Sequence, residues 1–205
     1  NSKYVLILNK YPVQIGHMLL ITQQWAPQNG WLNHSDLEAI SLIEKDTSGL
    51  WFFNSSPEAG ASQPHRHFQL LRRPVGELNC PRESWYLAKS NGNISDYQNI
   101  LDKRISVMRR NFSKSKDSSG ELFYLYKCLT QGLGLGDPMI DNIPKYPYNL
   151  IITDHWIALI RRSNDCLYGF NVNALGYAGY LLATGESDLD WLIKNGAICL
   201  LEKLC

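Results

Sequence analysis

His65, His67 and Gln69 occupy alternate positions in the segment Gly60-Ala61-Ser62-Gln63-Pro64-His65-Arg66-His67-Phe68-Gln69-Leu70-Leu71. Successive side chains of an extended chain point to opposite faces, so this spacing predicts one polar face carrying all three, with Phe68 and Leu70 turned toward a core. Arg66 would share the second face, which predicts that this side is solvated where the strand begins. Ahead of the strand, Gly60, Ala61 and Ser62 are small enough for backbone N–H groups to approach an anion, and Ser62 and Gln63 add side-chain donors. A neutral imidazole beside a bound phosphate is placed to attack phosphorus. Two plainer readings compete. The pair could be half of a zinc site, which needs further ligands, yet His17, Glu58 and Cys80 stand at no ligand spacing. It could also be purely structural.

Three ordered blocks point beyond the residues themselves. The stretch from Asn54 to Gln69 resembles the active-site segment of the diadenosine tetraphosphate phosphorylases (ATP adenylyltransferases), in the galactose-1-phosphate uridylyltransferase branch of the histidine triad (HIT) superfamily. Asn9 to Thr22, with its core Gly16-His17-Met18-Leu19-Leu20-Ile21, is similar to the hairpin that superfamily members place ahead of the catalytic strand. Tyr148 to Thr153, Trp156 to Arg162 and Val172 to Gly179 resemble the C-terminal region of the phosphorylases. The likeness is weakest from about Cys80 to Gly120.

The resemblance implies that His67 is the nucleophile and His65 a buttress in the adjoining hydrogen-bond network. It also implies that Asn54 and Gly60, Ala61, Ser62 and Gln63 bind phosphate oxygens or ribose. Hydrolytic members carry a third His where Gln69 stands. An amide donates and accepts hydrogen bonds without titrating, so Gln69 favours holding the intermediate for a second substrate. By resemblance that substrate is inorganic phosphate, and diadenosine tetraphosphate plus phosphate would give ATP and ADP. Lys10 is a candidate polyphosphate contact, Asn149, Thr153 and Arg161 are candidate nucleotide contacts, and His17 is read as structural. No tightly bound cofactor is implied, with Mg2+ only as a companion of the nucleotide. The alternatives are a transferase using another nucleotide, such as a hexose-1-phosphate uridylyltransferase or an adenylylsulfate-using enzyme, and a nucleotide-binding module without turnover.

Bulk properties narrow the classes. At 205 residues, 44% of them apolar and 19% charged, the chain has an ordinary globular balance, and a formal charge of +1 gives no global attraction to nucleic acid or membrane. No apolar run reaches membrane-span length. Five cysteines, odd in number and without a Cys-x-x-Cys, suggest neither a disulfide framework nor a zinc knuckle, and a reducing cytoplasm fits them best. The chain begins at Asn1 and enters a strand almost at once, so an upstream segment is expected.

The elements that must position the site follow from periodicity. Tyr4–Leu8 and Met18–Ile21 read as a hairpin, Ser35-Asp36-Leu37-Glu38 as a capping box opening a helix to about Asp46, and Leu50–Asn54 as a strand ending at the anion loop. Tyr97, Leu101, Ile105, Met108 and Phe112 step at helical spacing, with Lys103, Arg104, Arg109 and Arg110 on a solvated face. Residues 113–120 read as a polar linker, and Gly132 to Gly136 as a helix C-cap and turn rather than a dinucleotide loop. Asn149–Thr153 and Trp156–Arg161 read as a second hairpin, and Asn173–Ala183 and Leu189–Lys194 as helices. The expected fold is α+β and HIT-like: a mainly antiparallel sheet with helices packed on one face, arranged as two related hairpin-helix halves. Residues 1–112 would form the catalytic region and 121–205 a C-terminal region packed on it as one unit.

Overall fold

The computed structural model describes residues 3–74, 76–92, 100–111 and 113–205. Strands β1 (Tyr4–Leu8) and β2 (His17–Thr22) form the opening hairpin, and helix α1 (His34–Ile43) leads to a second antiparallel pair, β3 (Gly49–Asn54) and β4 (His67–Arg72). Helices α2 (Glu83–Ser90) and α3 (Ile100–Arg104) precede β5 (Ile105–Arg109), and α4 (Ser118–Gly132) precedes the hairpin β6 (Tyr148–Ile152) and β7 (Trp156–Arg161). A small hairpin, β8 (Cys166–Leu167) and β9 (Phe170–Asn171), then leads to α5 (Ala174–Ala178), α6 (Leu189–Asn195) and α7 (Ala197–Lys203).

Among the described residues, seven strands make one antiparallel sheet in the order β1-β2-β4-β3-β6-β7-β5. The β3–β6 ladder, from Trp51↔Ile152 to Asn54↔Asn149, joins the strands before residue 73 to those after residue 104. Alternation divides the side chains between two cores. Leu20, Trp51, Phe53, Phe68, Leu70, Leu150 and Leu159 face α1 and α4. Leu50, Phe52, Leu71, Ile151, Trp156, Ala158 and Ile160 face α2, α3, α5 and α7. Helices therefore lie on both faces, not on one as expected. Every residue of β3 and β6 is buried, and central strands that are apolar on both faces need a cover on each.

Three local expectations also change. The capping box belongs to Asn33 and Asp36 rather than Ser35 and Glu38: Asn33 Oδ1 accepts from Asp36 N at 3.0 Å, and Asp36 Oδ2 accepts from Asn33 N at 2.9 Å. The helix expected across Leu101, Ile105 and Met108 stops at Arg104, and the chain continues as the edge strand β5 on β7. Its alternation suits this, with Ile105 and Val107 in one core and Met108 against the other, while the strand pairs backbone groups that β7 would otherwise leave open. Tyr97 and Phe112 of that reading lie outside the described residues. Arg110 consequently leaves the expected basic face: it is buried, donating to both Glu44 oxygens at 2.8 Å. The helix expected to reach Ala183 ends at Ala178, because Gly179 takes a left-handed φ of 108° against Pro81.

Candidate active site

The site is built where β3 and β4 part. Their pairing runs from Gly49↔Arg72 to Phe52↔Gln69, beyond which Asn54 and His67 would face each other. The Gln28 side chain takes their backbone groups instead. Its Oε1 accepts from His67 N at 2.8 Å, and its Nε2 donates to Asn54 O at 2.7 Å and His67 O at 3.3 Å. Gln28 is only 3% exposed. A buried amide that copies a strand's donor and acceptor lets the strands diverge with no orphaned polar group. Nothing in the sequence marked Gln28; a single Gln after Pro27 has no periodicity or motif to announce it.

His67 is the first residue of β4 and is buried. Its Nδ1 lies 2.8 Å from the His65 carbonyl oxygen. A carbonyl only accepts, so Nδ1 carries the proton and the neutral ring keeps its lone pair on Nε2. Burial lowers the His67 pKa from its ordinary value, so the ring is neutral at pH 7. Gln69 follows on the same face, with its Oε1 3.0 Å from His17 Nε2.

His65 does not share that face. It makes only an isolated bridge to Pro27, and its Nε2 sits 2.8 Å from Thr22 Oγ1 and 3.3 Å from Gln24 O, with the ring 5.2 Å from that of Trp25. Residue 65 precedes the strand, so strict alternation does not reach it. Its contact with His67 runs through the backbone carbonyl, not the imidazole. The Arg66 side is not solvated either. Arg66 is 6% exposed, pairs with Asp36 at 2.8 Å and donates to the carbonyls of Pro27, Trp31 and Asn29. A planar guanidinium with its donors filled can be buried where an unpaired charge could not. Asp36 is held in turn by Tyr4 Oη at 2.7 Å, which ties β1, α1 and the entry to β4 together.

The expected anion loop is narrower than the sequence indicates. Gly60 N donates to Pro57 O and Ala61 N to Ser56 O, so both amides serve the loop itself. Gly60 has a φ of +84°, and a Cβ there would lie 2.6 Å from Asn173 Cβ. Its smallness permits the close approach of residues 172–173. Ser62 and Gln63 are exposed, and their amides donate to no protein acceptor among the described residues. With Ala61 they line a cleft of about 430 Å³ beside Trp25, Pro27 and Glu58.

The C-terminal candidates separate. Asn149 is buried and its amide is filled by protein: Nδ2 donates to Asn54 Oδ1 at 2.8 Å and Ala59 O at 2.7 Å, and Oδ1 accepts from Arg162 at 2.6 Å. Asn54 Oδ1 also accepts from Ala174 N at 3.0 Å. This asparagine pair fastens the end of β3 to β6 and to the start of α5. Thr153 sits at the other end of β6, where its Oγ1 accepts from the backbone of His155 and Trp156 in the hairpin turn. Arg161 stacks on Tyr146 at 3.3 Å from the ring centre. Lys10 is exposed in the β1–β2 turn, beyond the Leu8↔Met18 pair and so toward the Arg72 end of β4 rather than the His67 end. Among the described residues no group of three or more His, Cys, Asp or Glu side chains is placed to hold a metal ion. No helix of the described residues is long and apolar enough to cross a membrane.

The sheet order, the helices on its faces and the His-x-His-x-Gln strand define a HIT-like α+β protein. Residues 1–83 match the family model of the Ap4A phosphorylase N-terminal domain, and residues 95–205 that of the ATP adenylyltransferase C-terminal domain, Ap4A being diadenosine tetraphosphate. The second match alone covers more than half of the chain, which belongs to the Ap4A phosphorylase (ATP adenylyltransferase) family. Two proteins of Saccharomyces cerevisiae are similar over most of it. Protein APA1 is 26% identical over 204 residues, covering 91% of this chain and 63% of the relative, and diadenosine tetraphosphate phosphorylase 2 is 26% identical over 221 residues, covering 95% and 66%. The chain thus spans less than two thirds of the length of these relatives. The crystal structure of yeast Ap4A phosphorylase Apa2 in complex with Ap4A has the same fold, with a TM-score of 0.73 at 23% identity over 100% of this chain and 72% of that one. A uridylyltransferase structure is more distant, with a TM-score of 0.51 at 13% identity over 99% and 86%.

Proposed function

We propose that the chain is a nucleotidyltransferase that cleaves diadenosine tetraphosphate with inorganic phosphate, giving ATP and ADP through an adenylyl group on His67. The observation that carries this reading is the His67 ring itself: Nδ1–H is committed to the His65 carbonyl at 2.8 Å, and Nε2 is left as the nucleophile. Attack on the α-phosphorus forms the Nε2–P bond as the bridging P–O bond breaks, and ATP leaves with the electron pair. The ring is then cationic, and its Nδ1–H···O=C bond becomes charge-assisted and stronger. A phosphate oxygen next attacks the same phosphorus, the P–N bond breaks, the pair returns to Nε2, and ADP departs. Splitting one displacement into two in this way is the gain from covalent catalysis.

Gln69 gives the site no titrating acid beside the adenylyl group, which favours phosphate over water as acceptor. Asn54 and Asn149 are framework residues in this reading, and the phosphate-facing donors are the Ser62 and Gln63 amides and side chains. Any Mg2+ arrives with the nucleotide. Free cysteines at all five positions support a reducing cytoplasm as the setting. Incubation with diadenosine tetraphosphate, with and without phosphate, followed by nucleotide chromatography, tests the reading. ATP and ADP are expected only when phosphate is present. Release of ATP and AMP without phosphate would assign a hydrolase instead.

A further inference from the structure

His17 stands in the hairpin next to the catalytic strand, and its hydrogen bonds have a direction. Asn9 Oδ1 accepts from Tyr11 N at 3.0 Å, which fixes the Asn9 amide and leaves its Nδ2 to face His17 Nδ1 at 3.2 Å. The Val13 N–H points at the same ring nitrogen from 3.4 Å. Both groups can only donate, so His17 Nδ1 is the bare nitrogen and Nε2 bears the proton. Burial lowers the His17 pKa from its ordinary value, which keeps the ring in this neutral state. The Nε2–H therefore donates to Gln69 Oε1 at 3.0 Å. Along the strand, His17 is level with Leu71, whereas His67 lies on the other side of Gln69.

We propose, resting on the functional reading above, that His17 is a positioning residue: the Asn9–His17 pair holds the Gln69 carbonyl and so turns the Gln69 –NH2 toward the phosphoryl group on His67. An unrestrained amide could present either end. Its oxygen would repel the phosphoryl oxygens, while its nitrogen donates to them, so fixing the sense of the amide fixes the sign of the interaction. The bond to His17 also leaves Gln69 no use for its oxygen in activating water. The polarity is set in the turn between β1 and β2, away from the reacting atoms.

Two measurements on the whole chain test this. Long-range nitrogen–proton NMR should show His17 bare at Nδ1 and protonated at Nε2, and His17→Ala should shift the Gln69 side-chain amide signals. In turnover with diadenosine tetraphosphate and phosphate, His17→Ala should lower kcat by about 10- to 100-fold, the scale of one lost hydrogen bond to a charged group, with KM moved much less. In a Gln69→Ala background the same change should cost nothing further, and His17→Gln, which keeps a donor near Nε2, should restore most of the rate. A proton on Nδ1, or losses that simply add in the double variant, would overturn the positioning role. Absence of transfer in the unaltered chain would instead refute the functional reading, while a wrong His17 tautomer with transfer intact refutes His17 alone.

Discussion

The face of the sheet that carries His67 has two halves with opposite surroundings. Over β3, β6, β7 and β5 it is roofed by α2, α5 and α7, and Ile151, Trp156, Ala158 and Ile160 are fully buried. Over β1, no helix of the described residues covers it: Val5 and Ile7, on the same face by register, are 37% and 39% exposed. Both halves follow the same strand alternation. The roof makes one a core and leaves the other a partly exposed floor. His67 and Gln69 stand on the boundary, in β4, where His67 is buried and Gln69 is half-buried. Burial there lowers the His67 pKa and keeps the imidazole neutral.

The contrast can be broken first in the roofed half. Arg162 is 1% exposed and donates to Asn149 Oδ1 and to the carbonyls of Leu204, Asn164 and Val172. Arg162→Ala should leave several of these acceptors unpaired, and at about 1–3 kcal/mol for each buried group the loss should reach roughly 3–5 kcal/mol in denaturant unfolding. A loss below about 1 kcal/mol would mean that water replaces the guanidinium and the roof is loose.

Gly60→Val comes next, because the loop under α5 is held as closely as the roof itself. The left-handed φ and the 2.6 Å approach to Asn173 Cβ predict a stability loss of roughly 2–3 kcal/mol, on top of any loss of turnover. A stable but inactive Gly60→Val would restore the phosphate-cradle role for this glycine. At the boundary, Gln28→Ala should cost about 1–3 kcal/mol and also slow turnover, since it frees the backbone of His67. Unchanged kcat in a variant destabilised by that amount would separate Gln28 from the site. The smallest effect belongs to the open half: Ile7→Ala should change stability by less than about 0.5–1 kcal/mol, which thermal unfolding can read. A core-like penalty there would mean that the floor is covered in solution.

How far the site could be read from the sequence depended on the range of the interactions. The shared face of His67 and Gln69 on one strand was legible because a two-residue period is a local property, and β3, β4, β6 and β7 were legible because their aromatic and branched runs admit few other structures. His65 was misplaced by one step of the same rule, since only the pairing partner decides where a strand begins. Arg66 looked exposed because its partner Asp36 lies thirty residues away in sequence, on the first turn of α1. Gln28 was invisible for a related reason: an amide standing in for a β-ladder is defined by the gap it fills. The edge strand β5 read as a helix because helical spacing at 101, 105 and 108 carries no record of the open edge of β7.

Trapping the intermediate tests the central claim most directly. The chain is mixed with diadenosine tetraphosphate labelled at the α-phosphorus, without inorganic phosphate, and the label is located by peptide mapping under neutral conditions. An acid-labile adenylyl group on His67 is expected, absent in His67→Ala and discharged as ADP when phosphate is added. Label on any other residue, or normal turnover by His67→Ala, would contradict it.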